Sequence, residues 1–264
     1  MKARLLGLAS VLVLTLAIVG CSKSTSTTSE QPSSPAPAAP APAAATVNPA
    51  TAGEITGTVK WVGAPPRTPV IHMGADPGCT KANGGKPMHS EAVMVGKGGA
   101  MQYVVVYIKS GLGNYSYTTP TTPVTLDQKG CMYEPHVVAL MTNQSLSVVN
   151  SDPFIHNVNV ESKINSPWNL AQPAGAAPIV KTFPDAEMAI PVRCNIHPWM
   201  QGYIFVFKNP YFSVTGDNGT FTIKNVPPGT YTVATWQQQY GGQTQQVTVA
   251  ASQTQTVNFS YKAK

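Results

Sequence analysis

The sequence predicts an all-β protein, and three observations carry that expectation. Charged residues occupy only 11% of the 264 positions, too few for the Glu/Lys/Arg-rich surfaces of helical bundles and coiled coils. Gly and Pro number 22 and 24, the composition of a chain that turns often. Past Val19 no segment repeats its apolar residues every 3.6 positions, whereas several alternate at every second one. Hydrophobic residues make up 42%, enough for a core, which argues against a chain disordered throughout. The formal charge of +6 comes without a dense Lys/Arg run, so nucleic acid has no compositional support as a partner.

The N-terminus reads as a signal peptide over residues 1–20. Lys2 and Arg4 precede an apolar stretch from Leu5 to Val19, too short to favour a stable membrane span. Without these two charges the 17 basic residues fall to 15 against 11 acidic ones, a net charge of +4. The segment ends in Ile18-Val19-Gly20-Cys21, which resembles a bacterial lipobox. That resemblance implies a lipid on Cys21 and attachment to a membrane. The uncharged Ser22 then implies the periplasmic side of an outer membrane. Residues 21–52 are nearly all Ser, Thr, Pro and Ala, cannot bury a core, and are expected to form a disordered, extended tether.

The strands follow. Residues 53–62 alternate, with Ile55, Gly57, Val59 and Trp61 on one face. Tyr103 to Ile108 is a continuous β-branched and aromatic run, expected as a core strand. Gln144–Asn150, Met188–Arg193 and Gly202–Phe207 read as further strands, and many short strands with frequent turns imply a Greek-key sandwich. Thr215 to Ile223 reads as a hairpin across Asp217-Asn218-Gly219, and the strands near 229–233, 245–249 and 255–261 follow.

Four cysteines are present: Cys21, Cys79, Cys131 and Cys194. With Cys21 assigned to lipid, three remain, and one disulfide plus one free thiol is the simplest arrangement in an exported protein. Three pairings are possible. Cys79 and Cys131 lie in turn-like settings without a His at ligand spacing. Cys194 instead opens Cys194-Asn195-Ile196-His197-Pro198-Trp199-Met200. We therefore expect a Cys79–Cys131 bond and a Cys194 thiolate. A thiolate, an imidazole and a thioether within seven residues select copper, and His₂Cys with a weak axial Met defines a blue-copper centre. The missing histidine is expected to be His156, where a β-like run meets turn residues.

Tyr133-Glu134-Pro135-His136-Val137, Leu146 to Asn150 and His156-Asn157-Val158 together resemble the first ligand region of cupredoxins, and Cys194-x-x-His197-x-x-Met200 their second. The short His-Pro-aromatic-Met loop is similar to that of amicyanin. Residues 53–264 also resemble exported cupredoxin-like proteins of the methylamine utilisation type, through Leu126 to Cys131, His197 to Met200, Pro210-Tyr211-Phe212 and Val226 to Tyr231. That group often has Trp-His-Glu where this chain has Trp236-Gln237-Gln238. The resemblance implies one type 1 copper with His156, Cys194 and His197 in the equatorial plane and Met200 axial. It implies Asn157 as a brace on the Cys194 loop, the ring edge of His197 near solvent, and Pro198 with Trp199 as a docking rim for a redox protein such as a cytochrome or a periplasmic oxidoreductase, with core packing as the equal alternative for Trp199.

The remaining donors have plainer readings. His136 is expected to be structural or exposed. His72 and His89, with Met73 and Met88, fit a flexible surface loop better than an accessory metal patch. A structural zinc site would need more Cys and His. Residues 53–208 are expected to form the copper domain. Residues 209–264 resemble a carboxypeptidase-regulatory-like, or prealbumin-like, β module too short to be complete, to which the 53–62 strand would be added. No second redox motif or acid–base pair is visible, so the expected role is a one-electron carrier and not an enzyme. The alternatives are a copper storage or delivery lipoprotein and a structural β lipoprotein without metal.

Overall fold

The strand Gly53–Trp61 alternates buried and half-exposed residues along its length, as its period of two requires. In the computed structural model, which describes residues 44–263, it does not join the strands that follow it in sequence. It pairs antiparallel with Thr220–Val226 and parallel with Thr254–Thr256 and Phe259–Tyr261. Gly57 is needed at this junction: a Cβ there would lie 1.7 Å from the carbonyl oxygen of Val257. A facing sheet runs Phe212–Val214, Val105–Ser110, Gly229–Trp236, Thr244–Val249. Ile55, Val59, Val106, Ile108, Phe221, Ile223, Tyr231 and Val233 fill the core between the two sheets.

Two more sheets form a second sandwich from the middle of the chain. One runs Ile179–Lys181, Leu146–Asn150, Val124–Lys129, Met132–Glu134, and the other Trp168–Gln172, His156–Val160, Glu187–Arg193, Gln201–Phe207, Val137–Met141. Leu126, Leu140, Leu146, Val148, Val158, Ile190, Val192 and Ile204 are buried between them. Val105, Val137, Phe205 and Phe207 form a third buried cluster that joins the two sandwiches. Phe207 stacks on Phe212 at 4.6 Å between ring centres, and Phe205 meets Trp236 edge-on at 4.8 Å.

The molecule is thus all-β, as expected, with differences in detail. Val105–Ser110 lies within the stretch expected to form the copper domain, yet its hydrogen bonds go to strands beyond residue 209. The same run does not start at Tyr103, which takes a positive φ of 61° and bends the chain into the strand. The turn at Gly216–Gly219 forms, but its flanking strands part to opposite sheets instead of making a hairpin. Residues 45–52, read as the end of the tether, are held by backbone bonds: Ala45 bridges Tyr115, and Asn48 closes a turn onto Thr51 and Ala52. Backbone pairing of this kind needs no apolar side chain, so composition did not signal it. A six-residue helix, Pro77–Ala82, was not foreseen because it is too short to show a period. Its start is nevertheless written locally, with Asp76 capping the N–H groups of Gly78 and Cys79 and Pro77 in the first turn. Cys21, the apolar segment and the tether up to residue 43 lie outside the described residues. Among the described residues no helix is long and apolar enough to cross a membrane.

Candidate metal centre

His156 opens the strand His156–Val160, and Cys194 follows the end of Glu187–Arg193 in the same sheet. The loop from Cys194 to Met200 is tied at both ends. The Cys194 N–H donates to the Met200 carbonyl at 3.2 Å, and the Met200 N–H to the His197 carbonyl at 2.9 Å. This fold-back brings His197 under its own sulfur neighbour, where the His197 N–H donates to Cys194 Sγ at 3.4 Å. Asn157 Oδ1 accepts the Asn195 N–H at 3.1 Å and so clamps the loop to the His156–Val160 strand.

The donor atoms converge. The Nδ1 atoms of His156 and His197 are 3.0 Å apart, and His197 Nδ1 is 3.8 Å from Cys194 Sγ. One ring nitrogen from each histidine and the sulfur lie within 4.8 Å of one another, and all three residues are buried. Met200 is fully buried in the core cluster that also holds Cys194. The outer nitrogens face carboxylates. His156 Nε2 lies 2.8 Å from Asp152 Oδ2, and His197 Nε2 lies 3.0 Å from Asp76 Oδ2. An ionised carboxylate only accepts, so each Nε2 carries a proton and each Nδ1 is turned towards the other ring and the sulfur. A proton on one Nδ1 joins the two rings by a hydrogen bond at 3.0 Å, and once that proton is displaced both Nδ1 atoms and the sulfur can face a single cation. The donor set therefore fits a soft or borderline metal such as copper.

Electrostatics prepare the thiolate. Burial works against ionising Cys194, but hydrogen bonding to His156 and to the N–H groups of His197, Asn157 and Ile196 outweighs it and lowers the thiol to about 6. For His156, too, burial opposes the charge, and the bond to Asp152 overcomes it and raises the imidazole to about 8. The His197 imidazole beside Asp76 holds that carboxyl below the usual range. Asp152 also lies below it: burial opposes the shift, but His156 and the N–H groups of Cys131 and Gly130 stabilise the anion.

Asp76 and Asp152 were not singled out in the sequence, although each had a signal. Asp76 stands before Pro-Gly as a helix cap, and Asp152 is four residues before His156. What holds Asp152 is a two-residue turn. Gly130 and Cys131 both have positive φ, as a tight hairpin loop between Val124–Lys129 and Met132–Glu134 requires. Their N–H groups point together at the Asp152 carboxylate, at 2.7 and 2.8 Å. Cys131 also bonds to Cys79 in the short helix, leaving Cys194 as the free cysteine among the described residues.

The expectation of a solvent-facing His197 edge is corrected: the residue is 3% exposed, and Asp76 covers its Nε2. Of the expected rim, Pro198 is exposed, whereas Trp199 is half-buried and donates from Nε1 to the Cys131 carbonyl at 3.1 Å. Ile155 and Ile196, 45% and 46% exposed, are apolar side chains open to solvent next in sequence to His156 and His197. His136 is buried and structural. Its Nδ1 lies 3.0 Å from the Gln201 carbonyl and its Nε2 2.7 Å from Gln238 Oε1, so Gln238 occupies a partner position for this ring. His72 and His89 are exposed.

Residues 197–257 match the family model of polysaccharide lyase family 4, domain II. No curated protein matches the chain. Among solved structures, the chain is similar to the amicyanin of Paracoccus versutus, at 20% identity and a TM-score of 0.29, over 38% of this chain and 96% of that one. A mutant amicyanin in its Cu(I) form gives 18% identity and a TM-score of 0.28, over 38% and 97%. The copper-containing nitrite reductase of Thermus scotoductus gives 21% identity and a TM-score of 0.30, over 37% of this chain. The chain spans 25% of the length of that reductase.

Proposed function

We propose that this protein is an exported, membrane-anchored type 1 copper protein that carries single electrons between redox partners, and not an enzyme. The observation that carries the reading is the buried convergence of His156 Nδ1, His197 Nδ1 and Cys194 Sγ, with both outer imidazole nitrogens tied to carboxylates. His156, Cys194 and His197 would supply the strong donors, and Met200 a weak thioether donor. Bound copper would supply a one-electron couple. Asp152 and Asp76 fix the tautomer and rotation of the two rings, and Asn157 keeps the Cys194 loop from reshaping. A redox protein such as a cytochrome or a periplasmic oxidoreductase would dock over a small interface at Ile155, Ile196 and Pro198. Lipid on Cys21 would hold the chain at the periplasmic face of a membrane, in keeping with the methylamine utilisation type of exported protein.

Copper loading followed by oxidation is expected to give one copper per chain and an intense thiolate-to-copper visible band that Cys194→Ser abolishes. A fully coloured Cys194→Ser protein would sink the assignment. Cys21→Ser is expected to move the protein from the membrane to the soluble fraction of its cells, and retention on the membrane would refute the anchor.

The covered edge of His197 favours one second reading, copper storage or delivery, because a partner finds no imidazole edge at the surface. Stopped-flow reduction by a small cytochrome separates the two. A carrier exchanges its electron in milliseconds to seconds, and a storage protein does so only on releasing the metal.

A further inference from the structure

The disulfide stands against the histidine pair. One ring nitrogen of His197 and the Sγ atoms of Cys79 and Cys131 lie within 4.8 Å of one another. Cys131 Sγ, a carboxylate oxygen of Asp152 and a ring nitrogen of His156 form a second group within the same limit. All these residues except Asp152 are at most 3% exposed, and Asp152 is 6% exposed. Met73, 6% exposed, packs in the same cluster, and its sulfur accepts from Asn83 Nδ2 at 3.4 Å. The bonded sulfurs are not metal donors. As thiolates, free to move apart to the roughly 3.8 Å that two sulfurs on one tetrahedral ion take, they would be.

We propose that reduction of the Cys79–Cys131 disulfide creates a second soft-metal site, in which the two thiolates and His197 take a copper(I) ion. The reductant is a dithiol. It gives two electrons to the cystine, its own sulfurs close into a cyclic disulfide, and Cys79 and Cys131 become thiols. On uptake of copper(I) each thiol releases its proton to solvent. The ligand class follows from the donors, since thiolate sulfur with imidazole selects copper(I). This site goes beyond the function proposed above: it draws on His197, which that function also uses, but on neither Cys194 nor Met200, so it can form where the first site does not.

The test uses the full chain carrying Cys194→Ser. It is reduced with a water-soluble phosphine, which is removed before copper(I) is added without oxygen. One more copper(I) per chain is expected in the reduced than in the oxidised protein. Alkylation followed by mass spectrometry should find Cys79 and Cys131 protected by the metal and labelled without it. No gain on reduction, or equal labelling with and without copper, overturns the proposal. So does a gain that persists when Cys79→Ala and Cys131→Ala are added. Adding His197→Gln should weaken the extra ion at least tenfold in competition with a chelator, a loss that two thiols of an unfolded chain would not show; unchanged affinity also overturns it. If the oxidised wild-type chain takes up no copper while the reduced Cys194→Ser chain gains its ion, the electron-carrier reading fails and this site stands.

Discussion

Asp76 does two jobs with one carboxylate. Oδ1 caps the Pro77–Ala82 helix through the N–H groups of Gly78 and Cys79, and Oδ2 meets His197 Nε2. Asn in its place keeps an acceptor for the cap and removes the charge from the histidine. Asp76→Asn is therefore expected to leave the fold intact and to weaken copper binding roughly 10- to 100-fold, the range for partners of metal-bound histidines. Chelator competition measures this, and an affinity within twofold of wild type would show that the carboxylate only caps the helix. The candidate donor residues were legible because Cys194-x-x-His197-x-x-Met200 packs scarce side chains into seven positions. Asp76 was not, because it lies 121 residues from His197 and an aspartate before Pro-Gly is commonplace in turns.

Among the elements, the Glu187–Arg193 strand carries the Cys194–Met200 loop, and its first residue anchors a neighbouring loop. The buried Glu187 accepts from Ser162 Oγ at 2.5 Å, Lys163 N at 2.6 Å, and Asn165 N and Nδ2 at 3.0 Å each. Burial opposes ionisation, but these donors win and lower the carboxyl from an ordinary 4.5 to about 2. A depressed folded pKa stabilises the protein above the unfolded value, and the contribution fades as pH falls from about 4.5 towards 2. Its size is on the order of 3 kcal/mol. Urea titrations should show stability dropping across that window, and Glu187→Gln should flatten the drop; an unaltered pH profile would count against the anchor. The strand itself was foreseen from Met188, one residue late, whereas the partners of Glu187 come from a loop that no local pattern links to it.

At the scale of the molecule, the two sandwiches are interleaved along the chain. Gly53–Trp61 and Val105–Ser110 precede the middle sandwich in sequence, yet they complete sheets whose other strands begin at Phe212. Cutting after residue 208 would strip both strands of their partners and bare Val105, Phe205 and Phe207 where Phe212 and Trp236 now pack. The fragment 1–208 is expected not to give a cooperative thermal transition, whereas the full chain should unfold the described domain in one step by calorimetry. A 1–208 fragment melting like the whole would show that the sandwiches are independent.

The sequence alone determined the β class, the course of about half of the strands and which side chains are candidate donors, because alternation and short-range motifs are local properties of a chain. Tertiary structure decided which sheet Gly53–Trp61 and Val105–Ser110 join, which carboxylates hold the histidines, and that His197 is covered. Each of these is a contact between residues far apart in the chain. Hydrogen-bond partners of that kind are chosen by how packed layers meet, and composition or periodicity leaves no mark of the choice.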